Sequence, residues 1–244
     1  MRLAEIWRHP IKGHGREALQ DFEIEAGGTI PGDRHWAVVH EASKQRGAEW
    51  VPAVNFQRGA KLPALMAITA RTEGETVTLR HPARPDLTFD PDADNRVFLD
   101  WIAPLLDPAR AAPTGIVRSA GRGYTDTDFP SISLNSIASL DALAAHMGRD
   151  LSRHRWRGNL WIEGAAPWAE FDWIGREAML GTARFRVAER ITRCRATMAD
   201  PETGRIDGDM LGALEDGWGH RDFGVYLACT EPGRVAVGDR LELA

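Results

Sequence analysis

Cysteine is scarce in this 244-residue chain: Cys194 and Cys229 are its only two. They form no CxxC pair and no zinc-type spacing with histidine, so a disulfide framework, a structural zinc and a cysteine-ligated iron–sulfur cluster find no support. Long apolar runs are missing too, none approaching the roughly 18 residues that a membrane span needs. The opening Met1-Arg2-Leu3-Ala4-Glu5 has no apolar stretch of signal-peptide type, and a soluble, cytoplasmic protein is the expectation. There is no Walker A loop and no GxSxG elbow, which removes nucleotide hydrolysis and serine-hydrolase chemistry. A net charge of −5 argues against nucleic acid as a partner. Gly13-His14-Gly15-Arg16-Glu17-Ala18 fits a GxGxxA pattern by letter only, because Leu19–Glu25 alternates like a strand where a dinucleotide fingerprint needs a helix.

What is present reads as strands joined by turns. Leu3, Glu5 and Trp7, then Phe22 to Glu25, Trp36 to Val39, Ala67 to Thr69 and Val77 to Leu79 are short β-type runs. A helix is expected from Asn95 to about Leu106, with Asp94 as its cap and Pro104 in its last turn. A polar loop from Ser119 to Asp128 is the candidate junction between an N-terminal module (1–115) and a C-terminal domain (116–244). Beyond it come a strand at Ile132–Leu134 and a helix with the apolar face Ile137, Leu140, Leu143, Ala144 and Met147. That helix starts at an Asn135 or Ser136 cap and ends at Gly148. Further strands are expected at 159–163, 178–180, 184–189, 225–228 and 240–243, with a short helical turn at Asp209–Leu214. Strands outnumber helices without alternating with them, so the fold class is mainly β with attached helices (α+β), a barrel rather than a doubly wound sheet.

Arginines crowd two segments, Arg149, Arg153, Arg155 and Arg157, and Arg184, Arg186, Arg190, Arg193 and Arg195. In an acidic chain this enrichment suits either a pocket for a small anion or ordinary solvated faces. Cys194 lies inside the second cluster, where a strand ending near Ile191 runs into a loop, and Asp200 to Gly204 follows as a compact turn. Guanidinium charge beside a thiol favours the thiolate, the form that binds soft metals or attacks electrophiles. On this chemistry alone a functional thiolate and a half-buried structural cysteine stand equal. Cys229, on the apolar strand 225–228, reads as a core residue. The eight histidines are scattered, and His9 with His14 or His35 with His40 face opposite sides of a strand. Asp126 and Asp128 share a face but lack further oxygen ligands for a cation.

Six segments, in the family's order along the chain, carry a resemblance to a known family. Ile191-Thr192-Arg193-Cys194 with Asp200-Pro201-Glu202-Thr203-Gly204 resembles the signature of the MOSC domain. Leu134 to Leu140, Arg155-Trp156-Arg157-Gly158-Asn159-Leu160 and the closing Gly233 to Asp239 are similar to further segments of that domain. In the N-terminal half, His9-Pro10-Ile11-Lys12-Gly13 and Gly32-Asp33-Arg34-His35-Trp36 resemble the β-barrel module that precedes MOSC in the amidoxime-reducing-component branch. Two β-barrel-type modules are therefore implied.

The resemblance implies that Cys194 is the protein ligand of molybdenum in a molybdopterin cofactor, beside the pterin dithiolene and oxo groups. It places Lys12, Arg34, Arg157 and Asn159 around the pterin and its phosphate, with Ser136, Thr192 and Arg193 as further contacts. Asp200 would fix the cysteine loop or handle protons. At the level of the wider family it also carries an association with pyridoxal phosphate binding. Gly13 departs from the branch, which has serine there. The implied activity is reduction of N-hydroxylated small molecules, with electrons from a separate flavoprotein or ferredoxin-type protein. One alternative is a carrier in which Cys194 holds sulfur from a cysteine desulfurase, or the cofactor itself. The other is a binding module without chemistry. No nucleic-acid or membrane partner is implied.

Overall fold

The alternating runs become paired strands along most of the chain. The computed structural model describes residues 1–45, 47–93 and 95–244. The N-terminal half supplies β1 (Arg2–Arg8), β2 (Ile11–Lys12), β3 (Glu17–Leu19), β4 (Asp21–Ile24), β5 (Trp36–His40), β6 (Thr69–Glu73), β7 (Thr76–His81), β8 (Arg84–Phe89), helix α1 (Asn95–Ile102) and β9 (Pro113–Arg118). The C-terminal half adds β10 (Ile132–Ser136), α2 (Ile137–Met147), β11 (Leu160–Glu163), β12 (Glu177–Leu180), β13 (Ala183–Thr192), α3 (Met210–Trp218), β14 (Asp222–Glu231), β15 (Gly233–Ala236) and β16 (Leu241–Leu243). The architecture is mainly β with few helices, as expected.

An eight-stranded sheet runs β16-β12-β13-β14-β10-β11-β1-β3. The halves interleave within it. β1 pairs antiparallel with β11, Ile6 opposite Leu160, and β4 pairs with β15, Phe22 opposite Val235. Leu3, Ile6, Leu134, Leu160, Phe185 and Val225 pack the core of this sheet, and Cys229 is buried among them. Such apolar burial is the main stabilising term of the fold. A second core, with Ile11, Trp36, Val38, Leu65, Phe98 and Ile102, lies among the sheets β2-β5-β9 and β6-β7-β8 and α1. A third joins α2 and α3 to Trp156, Trp161 and Phe223.

α2 obeys its caps: the Ser136 hydroxyl accepts from Ser139 N, and Gly148 closes the helix at φ 62°. α1 ends earlier than expected, at Ile102, and a 3-10 turn (Ala103–Leu105) takes Pro104, which has no N–H for an α-helical bond. Its expected cap, Asp94, lies outside the described residues. α3 is longer than the expected turn, because Asp209 caps it onto Gly212 N and apolar packing carries it to Trp218 before Gly219 turns left-handed. Ala67 belongs to a 3-10 turn (Pro63–Ala67), so β6 starts at Thr69. β8 and β9 escape the pattern because both are edge strands carrying proline, where a missing N–H is tolerated.

Candidate functional site

Residues from both halves meet around one cavity of about 300 Å³. β13 ends at Thr192, and Cys194 then adopts extended backbone at the start of a 3-10 turn (Arg195–Met198). Its carbonyl accepts from Thr197 N at 3.2 Å and Thr197 Oγ1 at 3.1 Å, which fixes the backbone. The side chain is exposed to the cavity.

The facing wall is cationic. Lys12, at the end of β2, is buried, and its Nζ donates to Tyr124 O at 2.7 Å and to Asp126 Oδ1 at 2.5 Å. Burial pulls the Lys12 ammonium down, although Asp126 resists. Arg34 donates to Asp33 Oδ2, to Asn159 Oδ1 at 3.3 Å and to Arg157 O at 3.1 Å. Burial opposes its charge, but Asp33 and then Asp126 outweigh that and raise its pKa. The Asp33 carboxyl, buried as well, is held well below the usual carboxylate range by Arg34 and His9.

Arg157 is the odd member. Its guanidinium makes no hydrogen bond or ion pair among the described residues, and its Nη2 is buried without a partner. Burial, and then Arg34, push its pKa down to about 9. Its backbone is left-handed at φ 47°, as is that of Arg34 at φ 50°. Two such residues in one wall is strain of the kind that surrounding structure holds at functional sites. A desolvated, unpartnered guanidinium calls for an anion.

The other expected site residues divide. Thr192 and Arg193 line the cavity. The Thr192 hydroxyl donates to Asp222 Oδ1 at 2.6 Å. Arg193 is committed to framing, donating to Phe223 O at 2.7 Å, Trp156 O at 2.9 Å and Asn135 Oδ1 at 2.6 Å. Asn159 lies behind the wall, where its Oδ1 accepts from Ser133 and Arg34 and its Nδ2 donates to Trp7 O. Ser136 is occupied as the α2 cap, and Asp200 Oδ1 accepts from Glu202 N at 2.7 Å inside its turn. Neither lines the cavity.

Asp126 serves as the carboxylate partner of Lys12 rather than as half of a cation site. Desolvation favours its protonated form, but Lys12, Arg34 and Arg157 outweigh this and hold it at about 2. Among the described residues no cluster of His, Cys, Asp or Glu forms a metal site by itself. Tyr226 also lines the cavity and was not foreseen. Burial, with Asp126 adding to it, lifts its hydroxyl to about 12, so it stays a neutral donor. The signal was present: Tyr226 is the polar-tipped residue between inward Val225 and Leu227 on β14. Gly13, the departure from the family pattern, has φ 77°, and a Cβ there would stand 2.8 Å from Gln57 O. A serine is therefore strained in this chain.

Two histidines lie behind this wall. His9 is buried, and its pKa is pushed down to about 3 by burial and then by Arg157. His14, buried with Nδ1 donating to Lys12 O at 2.9 Å, falls to about 4, mainly through burial. Both stay neutral when folded and take up protons near pH 6.5 when unfolded. Stability therefore falls as pH drops below about 6.5, with a slope approaching roughly 2.7 kcal/mol per pH unit near pH 5 for the pair. Urea unfolding at pH 7 and pH 5 measures this, and equal stability at both would contradict the neutral assignment.

Comparison with known proteins identifies the two parts of the chain. Residues 1–100 match the MOSC N-terminal beta barrel domain and residues 125–242 the MOSC domain. Mitochondrial amidoxime-reducing component 1 of Mus musculus is 24% identical, over 99% of this chain and 82% of its own. Molybdenum cofactor sulfurase of Caenorhabditis briggsae is 27% identical over 55% of this chain, which spans only 19% of that protein. Among solved structures, the YUAD protein from Bacillus subtilis aligns with 99% of this chain and 94% of its own, at 13% identity and a TM-score of 0.48. The chain belongs to the MOSC family, as a MOSC domain preceded by a MOSC N-terminal β-barrel domain.

Proposed function

We propose that this chain is a molybdenum-cofactor-binding reductase of N-hydroxylated compounds, with Cys194 as the metal's protein ligand. The observation that carries the reading is one cavity shared by an exposed thiol and an unpartnered guanidinium, with Lys12 and Arg34 in the same wall. The donor set fits the cofactor: a soft sulfur suits the metal, and a desolvated cationic wall suits pterin phosphate. The whole-chain likeness to proteins named amidoxime-reducing components supports the substrate class.

In this reading Arg157 and Lys12 bind the anionic end, Arg34 is aimed by Asp33 and Asn159, and Arg193 frames the wall. Tyr226 offers a hydroxyl that stays protonated beside the cations of the wall. The bound cofactor would supply a two-electron centre able to take oxygen from an N–O bond. Each turnover consumes two electrons and two protons, turning N–OH into N–H and water. The electrons come from a separate flavoprotein or ferredoxin-type donor. Among the described residues no helix is long and apolar enough to cross a membrane, and a cytoplasmic location belongs to the same proposal.

The test is to load the protein with cofactor and offer benzamidoxime or hydroxylaminopurine with an artificial donor. Turnover is expected; none, with molybdenum demonstrably present, rejects the reading. The exposure of Cys194 also favours a second one, the sulfur or cofactor carrier. Mass spectrometry after treatment with a cysteine desulfurase separates the two, because only the carrier gains a labile sulfur on Cys194 in metal-free protein.

A further inference from the structure

The Gly13–Ala18 segment, a dinucleotide fingerprint by letter alone, has another use here. Arg16 is buried, at 7% exposure, and does not line the cavity. Its Nη1 donates to Met66 O at 2.9 Å and to Pro201 O at 3.2 Å, and its Nη2 to Glu202 Oε1 at 2.9 Å. Met66 belongs to the 3-10 turn Pro63–Ala67 of the N-terminal half. Pro201 and Glu202 belong to the turn that follows the cysteine. One guanidinium therefore ties that turn to the other half of the molecule.

A second contact meets the first. Gly204 has φ 69°, and a Cβ on it would stand 2.6 Å from Ala64 Cα and 2.8 Å from Ala64 O. The turn thus seats backbone against backbone on the same 3-10 segment. It is stiff: Gly204 N donates to Asp200 O and Asp200 N to Arg205 O, both at 2.8 Å. Ala199 N donates to Ala196 O at 3.2 Å and Thr197 N to Cys194 O at 3.2 Å, so bonded turns run from Arg16's acceptors back to the thiol. Arg16 follows Lys12 by four residues, so one short segment sets a cation of the wall and grips the loop that carries the sulfur.

Resting on the reading of Cys194 as metal ligand, we propose that Arg16 is a positioning residue that seats the 194–204 loop on the N-terminal half and so fixes the Cys194 sulfur opposite Lys12 and Arg34. A buried arginine whose carboxylate partner, Glu202, is 71% exposed adds little stability. Its value is geometric, since a site loosened by about 1 Å loses about a hundredfold in rate.

The test starts with hydrogen exchange in cofactor-free protein. Arg16→Met is expected to speed exchange about tenfold or more at the amides of Thr197, Ala199 and Gly204, with β13 and β14 unchanged. Arg16→Lys, which keeps charge and one donor, recovers part of that protection. Arg153→Met, which breaks the Arg153–Glu5 pair elsewhere, leaves the loop as it was. Gly204→Ala unseats the same turn without touching Arg16 and reproduces its effect, which keeps the idea testable if Arg16→Met folds poorly. In loaded protein, Arg16→Met lowers kcat about a hundredfold with KM nearly unchanged and shifts the molybdenum spectrum. Wild-type loop exchange, kcat and spectrum in both Arg16→Met and Gly204→Ala overturn the proposal. If Cys194→Ala leaves the spectrum unchanged, the ligand reading has failed; if it alters the spectrum and Arg16→Met does not, only the positioning role has failed.

Discussion

Cys194→Ala is expected to reduce turnover of N-hydroxylated substrates to background while changing the unfolding free energy by about 1 kcal/mol or less. The asymmetry follows from how the residue is held. Its carbonyl carries the structural load, accepting from Thr197 N and Oγ1, and alanine keeps that carbonyl. Its side chain is exposed and buries little apolar surface. Cys229→Ala should behave in the opposite way. Cys229 is buried at 5% exposure in the main core, and its Sγ donates to Glu231 O at 3.2 Å, so its loss lowers stability and spares turnover. Thermal unfolding and steady-state rates on the two variants decide the matter. A Cys194→Ala protein that still turns over removes the thiol from the chemistry.

Arg157→Gly should make the cofactor-free protein more stable and the cofactor about a hundredfold weaker in binding. Arg157 is left-handed at φ 47°, a backbone state that costs a residue with a Cβ about 1 kcal/mol and glycine nothing. Its guanidinium is desolvated beside Arg34 without an anion to offset the burial. Glycine removes both penalties, and a gain of about 1 kcal/mol raises Tm by about 2–4 °C in a chain of this size. The same change deletes a wall guanidinium that has no internal partner among the described residues. Stability and binding then move in opposite directions, the signature of a residue kept for function. A fall in Tm without cofactor, with affinity unchanged, would make Arg157 a structural residue instead.

The candidate site was legible through the short segments that carry the family resemblance, while local chemistry alone singled out only Cys194 and the arginines around it. Lys12, Arg34, Arg157, Thr192, Arg193 and Cys194 come from four separate segments, and the fold brings all six to one cavity. A strand with clean alternation, β4, and a helix with caps, α2, were equally plain, whereas β1 is irregular between Leu3 and Glu5 and buries Leu3 and Ile6. Edge strands were not, because β8 and β9 carry proline and are held by neighbours rather than by a buried face. Long-range pairing was hidden as well. Nothing local announces that Asp126 answers Lys12 or that Arg16 reaches Pro201. Ser136 and Asn159 show the reverse limit: their side chains are spent on a helix cap and on holding Arg34 from behind, a division of labour that only packing sets.

The central claim is that the Cys194 sulfur binds the metal. X-ray absorption at the molybdenum edge tests it most directly, on loaded wild-type protein and loaded Cys194→Ala at equal metal content. The account predicts that the variant loses one sulfur neighbour from the metal's shell, with the remaining sulfur distances kept. An identical sulfur shell in the two proteins would contradict it.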